Sequence, residues 1–266
     1  MDFDDNNGND FEEDQEDIIE ESQYQKRHPA FRILAVILLL AFIGLAIPQI
    51  SLLFTDRLEF LRSRVDLRDS PELQQAASAV VSIEAYNEDQ YNHRSRRGTG
   101  FNILDTGLIM TNQHIVENSG SVKIEFENGT ILYSHDIQFI DNADVAFIKL
   151  DSQSLPCVSL HSETVPEPGS IVSVIGNPLG LKQVILRGPV IGYYNLEKNP
   201  IPIMLLDIDC QPGNSGSPVI NEQGQVVGVV YAVTVTEEDG KTRNSTLAYP
   251  LYYFRDYMND HENTRG

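Results

Sequence analysis

The stretch Asp209-Cys210-Gln211-Pro212-Gly213-Asn214-Ser215-Gly216-Ser217-Pro218 decides how this chain is read. It follows the apolar run Met204-Leu205-Leu206 and precedes Val219-Ile220, so it joins two strands. Pro, Gly, Asn and Ser are the usual turn residues, and a plain β-turn is one reading. The other is a nucleophile. A serine among glycines at a tight bend stands where a substrate can reach it. Gly213 also lets the backbone turn so that its own N–H and that of Ser215 converge, as an oxyanion hole requires. A histidine and a carboxylate in suitable places decide between the two.

Both lie upstream. Met110-Thr111-Asn112-Gln113-His114-Ile115-Val116 puts a histidine just past the β-rich run that starts at Gly107. Asp141-Asn142-Ala143-Asp144 leads into the apolar strand Val145–Leu150, with an aspartate at its mouth. Singly, each has a dull explanation: a structural histidine, a turn aspartate, a turn serine. The chain order His114, Asp144, Ser215 is that of chymotrypsin-type triads, not of subtilisins or α/β-hydrolases. The hydrolase elbow G-x-S-x-G also fails, because its last glycine would be Ser217.

Over roughly residues 76–257 the sequence resembles the trypsin-like serine proteases, and within them the HtrA-type branch. The resemblance is carried by Gly98-Thr99-Gly100-Phe101, the His114 segment, Asp144-Val145-Ala146, Ile175-Gly176-Asn177-Pro178-Leu179-Gly180, Pro212-Gly213-Asn214-Ser215-Gly216 and the strand Gly224–Val230. One departure is Ser217, where the family usually has a second glycine. The resemblance implies an all-β fold, the chymotrypsin/trypsin-like double β-barrel, with six strands in each barrel. It implies a serine endopeptidase with His114 as base, Asp144 as its orienting carboxylate and Ser215 as nucleophile. Gly213, Asn214 and Ser215 take the oxyanion-hole positions. The primary pocket falls to Asp209 and Cys210 before the serine loop and to Tyr231-Ala232-Val233 on the following strand. Asp209 lies six positions before Ser215, where trypsin carries the aspartate that pairs with Lys or Arg. A one-residue slip instead faces Asp209 elsewhere and leaves Cys210 lining the pocket.

Composition bounds the rest. At 266 residues and 41% hydrophobic, the chain can bury a real core, and a net charge of −20 argues against a nucleic-acid partner. The first 25 residues hold eleven Asp and Glu and no Lys or Arg, which leaves −9 for the remainder. So acidic a segment buries too little to offset its ordering entropy, and residues 1–28 are expected to be a disordered acidic tail. Residues 33–47 are uncharged and apolar and, continued to Phe54, reach a length that spans a bilayer, which takes about 20 residues; 31–54 reads as a transmembrane signal-anchor helix whose apolar stretch begins after Arg32. A cleaved signal peptide would start short and basic. Lys26, Arg27 and Arg32 before it and Arg57, Arg62, Arg64 and Arg68 after it leave the orientation open. An extracytoplasmic catalytic domain follows from the resemblance only.

Residues 55–75 read as a linker, 76–258 as the protease domain (first barrel about 76–155, second about 168–258) and 259–266 as a tail. Tyr91–Arg97 reads as a basic loop. Asn128-Gly129 between alternating runs marks a hairpin. In the second half Gln183–Leu186 and Val190–Tyr194 read as separate strands, and Leu251–Met258 as a closing helix. The PDZ module often carried by HtrA-type chains is not expected.

A serine hydroxyl is a weak nucleophile until a base takes its proton, which imidazole does near neutral pH. No metal or other cofactor is called for. His28, His93, His135, His161 and His261 have no ligand-like spacing. Cys157 and Cys210 are too few for a disulfide framework and read as buried thiols. Protein or peptide substrates are implied, with a homo-oligomer, a trimer, by family resemblance. The endopeptidase reading places the chain in extracytoplasmic protein quality control or regulated processing; the rival reading is a catalytically silent protease-like domain serving as a membrane-tethered binding or regulatory module.

Overall fold

The computed structural model describes residues 38, 39, 42, 70–87, 95–195, 200–238 and 241–263. Contacts divide the chain into two units, Met1–Thr55 and Asp56–Gly266, and every described strand lies in the second. In the first, Leu38, Leu39 and Phe42 are helical and exposed. Otherwise the expected tail 1–28 and membrane segment 31–54 lie outside the described residues. Among those described, no helix is long and apolar enough to cross a membrane.

The compact unit begins earlier than its sequence suggests. Helix α1 (Pro71–Ser78) starts on Ser70, whose backbone is extended and whose hydroxyl accepts the Leu73 N–H at 3.4 Å, and Pro71 fills the first helical position, where no N–H is needed. Leu73, Ala76 and Ala77 share one buried face. Residues 71–75 therefore belong to a helix that docks on the core through Leu73, and not to the linker.

The first sheet holds β1 (Val80–Asn87), β2 (Ser95–Asn102), β3 (Leu108–Thr111), β4 (Ser119–Phe126), β5 (Ile131–Ser134), β6 (Ile137–Phe139) and β7 (Ala146–Lys149), in the order β5-β4-β1-β2-β3-β7-β6. The four-residue helix α2 (Gln113–Val116) sits between β3 and β4. The sheet curls until the Ser134 hydroxyl, ending β5, donates to the Lys149 carbonyl on β7 at 2.6 Å. Ser95–Arg97, read from sequence as loop, instead open β2. They pair with Tyr86, Ala85 and Glu84 of β1, and the Arg97–Glu84 ion pair lies on that register.

The second sheet holds β8 (Ser159–Leu160), β9 (Ile171–Gly176), β10 (Val184–Tyr194), β11 (Ile203–Leu206), β12 (Pro218–Ile220), β13 (Gln225–Glu238) and β14 (Lys241–Pro250), in the order β12-β9-β10-β11-β14-β13-β8. Pairing of β12 with β13 closes six of them into a ring, with β8 added from the connector. Each sheet thus has seven strands, not six. The two segments expected at 183–186 and 190–194 are one strand. Gly188 keeps it continuous, because any Cβ there would sit 2.1 Å from the Asp207 carbonyl oxygen. A 3-10 turn (Leu251–Phe254) and helix α3 (Arg255–Asn263) close the chain's described part.

Three apolar clusters result. One fills each barrel: Val81, Ile83, Ile124 and Ile148 in the first, Val174, Leu206, Val219 and Val230 in the second. The third lies between the barrels, where Phe101 and Phe147 meet Ile175 and Ile203, sealed by Leu73 of α1 and Met258 of α3. Each such side chain contributes about 1.5–3 kcal/mol by burial. The active-site candidates sit along this seam.

Candidate active site

The first barrel supplies an imidazole and a carboxylate. Asn142, with φ +61, turns the chain so that Asp144 enters β7 with its carboxylate facing α2; asparagine tolerates that left-handed conformation. Asp144 Oδ1 accepts the His114 backbone N–H at 2.9 Å, and Oδ2 lies 2.5 Å from His114 Nδ1. A carboxylate can only accept, so the imidazole proton sits on Nδ1 and the Nε2 lone pair faces outward. Asn112 Nδ2 donates to the Asp144 carbonyl at 2.8 Å, and the Asp144 N–H donates to the Tyr249 hydroxyl at 3.4 Å. Four contacts therefore fix the aspartate, while the His114 side chain stays 45% exposed.

The second barrel supplies Ser215, on a loop held by backbone contacts. Thr99 of β2 is the hub. Its N–H donates to the Ser215 carbonyl at 2.9 Å, its hydroxyl donates to the Gly213 carbonyl at 2.7 Å, and its own carbonyl accepts from Thr111 Oγ1 at 2.8 Å. The Thr99 hydroxyl also accepts the Asn177 N–H at 3.0 Å. Gly216 makes this contact feasible: its φ is +80, and a Cβ would lie 2.0 Å from the Thr99 carbonyl oxygen. A Cβ on Gly98 would lie 2.3 Å from Ile115 Cδ1 and 3.3 Å from the Ser215 carbonyl, so α2 and the serine loop meet over that glycine. Sequence reading missed Thr99 and Asn177 as anchors. Their only signal was a threonine wedged between two glycines and an asparagine inside a glycine-bearing loop.

Behind Ser215 lies an unusual buried patch. Asn214 is 1% exposed and Ser217 0% exposed, and both Asn214 amide atoms and the Ser217 hydroxyl lack a hydrogen-bond partner. Both pack on Gly176, where a Cβ would come within 2.1 Å of Asn214 Oδ1 and 2.3 Å of Ser217 Oγ. The Asn214 N–H is committed to the Gln211 carbonyl at 3.0 Å. That removes Asn214 from the expected oxyanion donors and leaves the Gly213 and Ser215 N–H groups, which no described residue accepts from.

A cavity of about 310 Å³ opens beside Ser215, lined by Cys210, Val230, Ala232, Val233 and Asn244 along with the loop itself. Ala232, Val233 and Cys210 line it as expected; Asp209 and Tyr231 do not. Beyond β11 the chain alternates Ile208 in, Asp209 out, Cys210 in, and the exposed Asp209 carboxylate accepts from Gln211 Nε2 and Asn244 Nδ2, each at 3.1 Å. The β13–β14 register shifts between Val230 and Ala232, which makes Tyr231 the bulged residue and sends its ring onto Tyr249, 4.6 Å between centroids. Burial, then Tyr249 and Asp144, push the Tyr231 hydroxyl up to about 12. Burial likewise pushes the Cys210 thiol up to about 12, so it lines the cavity as a neutral apolar group. Cys157 is exposed, and the two are not bridged. Among the described residues no group of three or more His, Cys, Asp or Glu is placed to hold a metal ion.

Residues 98–229 match the family described as a trypsin-like peptidase domain. Serine protease HTRA1A of Danio rerio is 34% identical over 168 residues, 59% of this chain and 35% of that protein. A probable periplasmic serine endoprotease, DegP-like, of Halomonas elongata is 33% identical over 139 residues, 51% of this chain and 29% of that protein. The chain thus spans about a third of the length of these relatives. Among solved structures, the serine endoprotease of Yersinia pestis superposes with a TM-score of 0.58 at 24% identity, covering 71% of this chain and 64% of that one. The HtrA-type protease AlgW with a tripeptide superposes at 0.61 and 21% identity, over 71% and 61%. These two share the double-barrel fold.

Proposed function

We propose that this chain is a trypsin-like serine endopeptidase of the HtrA type, acting on protein substrates. The observation that carries the reading is the 2.5 Å contact between His114 Nδ1 and Asp144 Oδ2, made at the seam where the Ser215 loop is clamped. In this mechanism His114 Nε2 takes the Ser215 proton as Oγ attacks the scissile carbonyl, then gives it to the leaving amine. Asp144 holds the tautomer and stabilises the imidazolium. The Gly213 and Ser215 N–H groups receive the oxyanion, each such donor contributing about 2.7–4 kcal/mol to transition-state stabilisation. Water then releases the acyl group by the same steps in reverse.

The cavity beside Ser215 favours a small aliphatic side chain at the residue whose carbonyl is cut: Cys210, Val230, Ala232 and Val233 supply apolar walls, and the Asp209 carboxylate is turned away. A basic preference has no counter-charge there. Names of relatives that specify the periplasm support an extracytoplasmic domain; the apolar run ending at Phe54 is its proposed tether, and quality control or processing, as a homo-oligomer, its proposed setting. The buried unpaired Asn214 and Ser217 give a specific reason to keep a second reading, a resting loop that must rearrange before turnover. Peptides differing only in Val, Phe or Arg at the cut residue, supplied to the full chain and to Ser215→Ala, test the proposal. Cleavage after Val that vanishes in the variant is expected; equal residual hydrolysis by the variant, or cleavage confined to Arg, would contradict it.

A further inference from the structure

A second and larger cavity, about 560 Å³, lies on the other side of Pro212-Gly213 from the aliphatic pocket. Its floor is the outer face of the first sheet: Ser82, Glu84, Arg97, Lys123 and Glu125. Strand register sets these residues in rows. Glu84 stands opposite Arg97 on one side and Lys123 on the other, and Ser82 stands opposite Glu125. From β4, Glu125 pairs with Lys123 at 3.2 Å and, across the barrels, with Lys182 at 2.6 Å. Glu84 accepts from Arg97 at 2.8 Å, Tyr86 at 2.9 Å and Ser95 at 3.0 Å. The Arg97 guanidinium holds the Glu84 carboxyl below its ordinary range, and Lys182 with Lys123 does the same for Glu125.

Both carboxylates are therefore ionised and already occupied. Arg97 and Lys123 balance Glu84 and Glu125 in the lining, and Lys182, reaching Glu125 from beside the cavity, adds a third cation on a chain of net charge −20. Lys123 is the most sheltered cation, its side chain 22% exposed against 53% for Lys182 and 74% for Arg97. An ammonium has three donors; one of Lys123's goes to Glu125, leaving others for a ligand.

We propose that this cavity receives the leaving-group side of the substrate, and that Lys123, with Arg97 and Lys182, selects an aspartate or glutamate two or three residues after the cleaved bond. The inference rests on the endopeptidase reading of the same site. Gly98 of β2 touches the serine loop, and β4 lies two strands away, about 10 Å at ordinary sheet spacing. An extended peptide advances roughly 3.3 Å per residue, so two or three residues cover that distance.

Quenched peptides with Val at the cut residue, and Asp, Ala or Lys at the second and third positions beyond it, test this on the full chain. The acidic peptide is expected to exceed the lysine peptide in kcat/KM by roughly fivefold, the scale of a part-exposed ion pair. That ratio should collapse in Lys123→Gln and persist in Arg187→Gln, which removes a distant surface pair with Glu222. Equal rates for acidic and lysine peptides in the unaltered chain, or a ratio undiminished in Lys123→Gln, would overturn it while leaving the endopeptidase reading intact. Failure to cut any peptide, with no fluorophosphonate label on Ser215, would instead sink the underlying reading.

Discussion

The two barrels hold their shares of the site differently. The first fixes His114 and Asp144 through side chains: both carboxylate oxygens are engaged, and the Asp144 carbonyl and N–H are tied to Asn112 and Tyr249. The second presents Ser215 on a loop whose main chain is clamped by Thr99, while the side chains before and after the nucleophile, Asn214 and Ser217, are buried without partners. The first half leaves one buried side-chain atom, Asn112 Oδ1, without a partner; the second leaves three, Asn214 Oδ1 and Nδ2 and Ser217 Oγ, and such uncompensated polar burial costs about 1–3 kcal/mol per group. An enzyme regulated through its serine loop would place its instability there.

The largest way to break the comparison is at the better-satisfied half. Asp144→Asn keeps the packing but offers the amide's N–H to His114 and upsets the tautomer, so kcat should fall about 10⁴-fold while the folded circular-dichroism signal persists. Next comes the clamp between the halves. Thr99→Val strands the Gly213 carbonyl and the Asn177 N–H, and should lower unfolding free energy by about 1–3 kcal/mol in urea titration and reduce turnover with it. On the unsatisfied half the sign reverses. Ser217→Ala removes a buried hydroxyl that bonds to nothing, and should raise stability by about 1 kcal/mol; a loss of that size would mean the hydroxyl has a partner.

The smallest effect sharpens the account of the aliphatic pocket. Burial holds the Cys210 thiol near 12 in the folded protein against 9.0 for the free group. Between those values the unfolded chain gives up its proton first, so it binds fewer protons than the native state and stability falls as pH rises through 9. By pH 10 the loss from this group should reach about 1 kcal/mol, and it should be absent in Cys210→Ala.

Much of this was legible in the sequence, for reasons that differ by residue. Short apolar runs bounded by turn signals marked nearly every strand; β4 also alternates, as a half-buried strand has to, while β3, β11 and β12 are buried throughout. His114, Asp144 and Ser215 stood out because each is a reactive residue at a strand end, in a recognisable order. What was not legible depends on contacts far apart in the chain. Ser95–Arg97 look like loop until β1 lies beside them, and α1 looks like linker until the seam between barrels covers Leu73. The side to which Asp209 or Tyr231 points turns on a single residue of alternation or a single bulge. Thr99 acts on the Gly213 carbonyl, 114 positions away on the serine loop, and Asn177 on the Val81 carbonyl, 96 positions away on β1, a role that leaves almost no trace in local pattern.

The central claim is that His114 and Asp144 activate Ser215 across the seam. Reacting the full chain with a fluorophosphonate and locating the adduct by mass spectrometry tests it most directly. The account predicts one adduct, on Ser215, formed rapidly in the unaltered chain and nearly lost in His114→Ala. An adduct on another residue, or labelling of Ser215 that is equally fast without the imidazole, would contradict it.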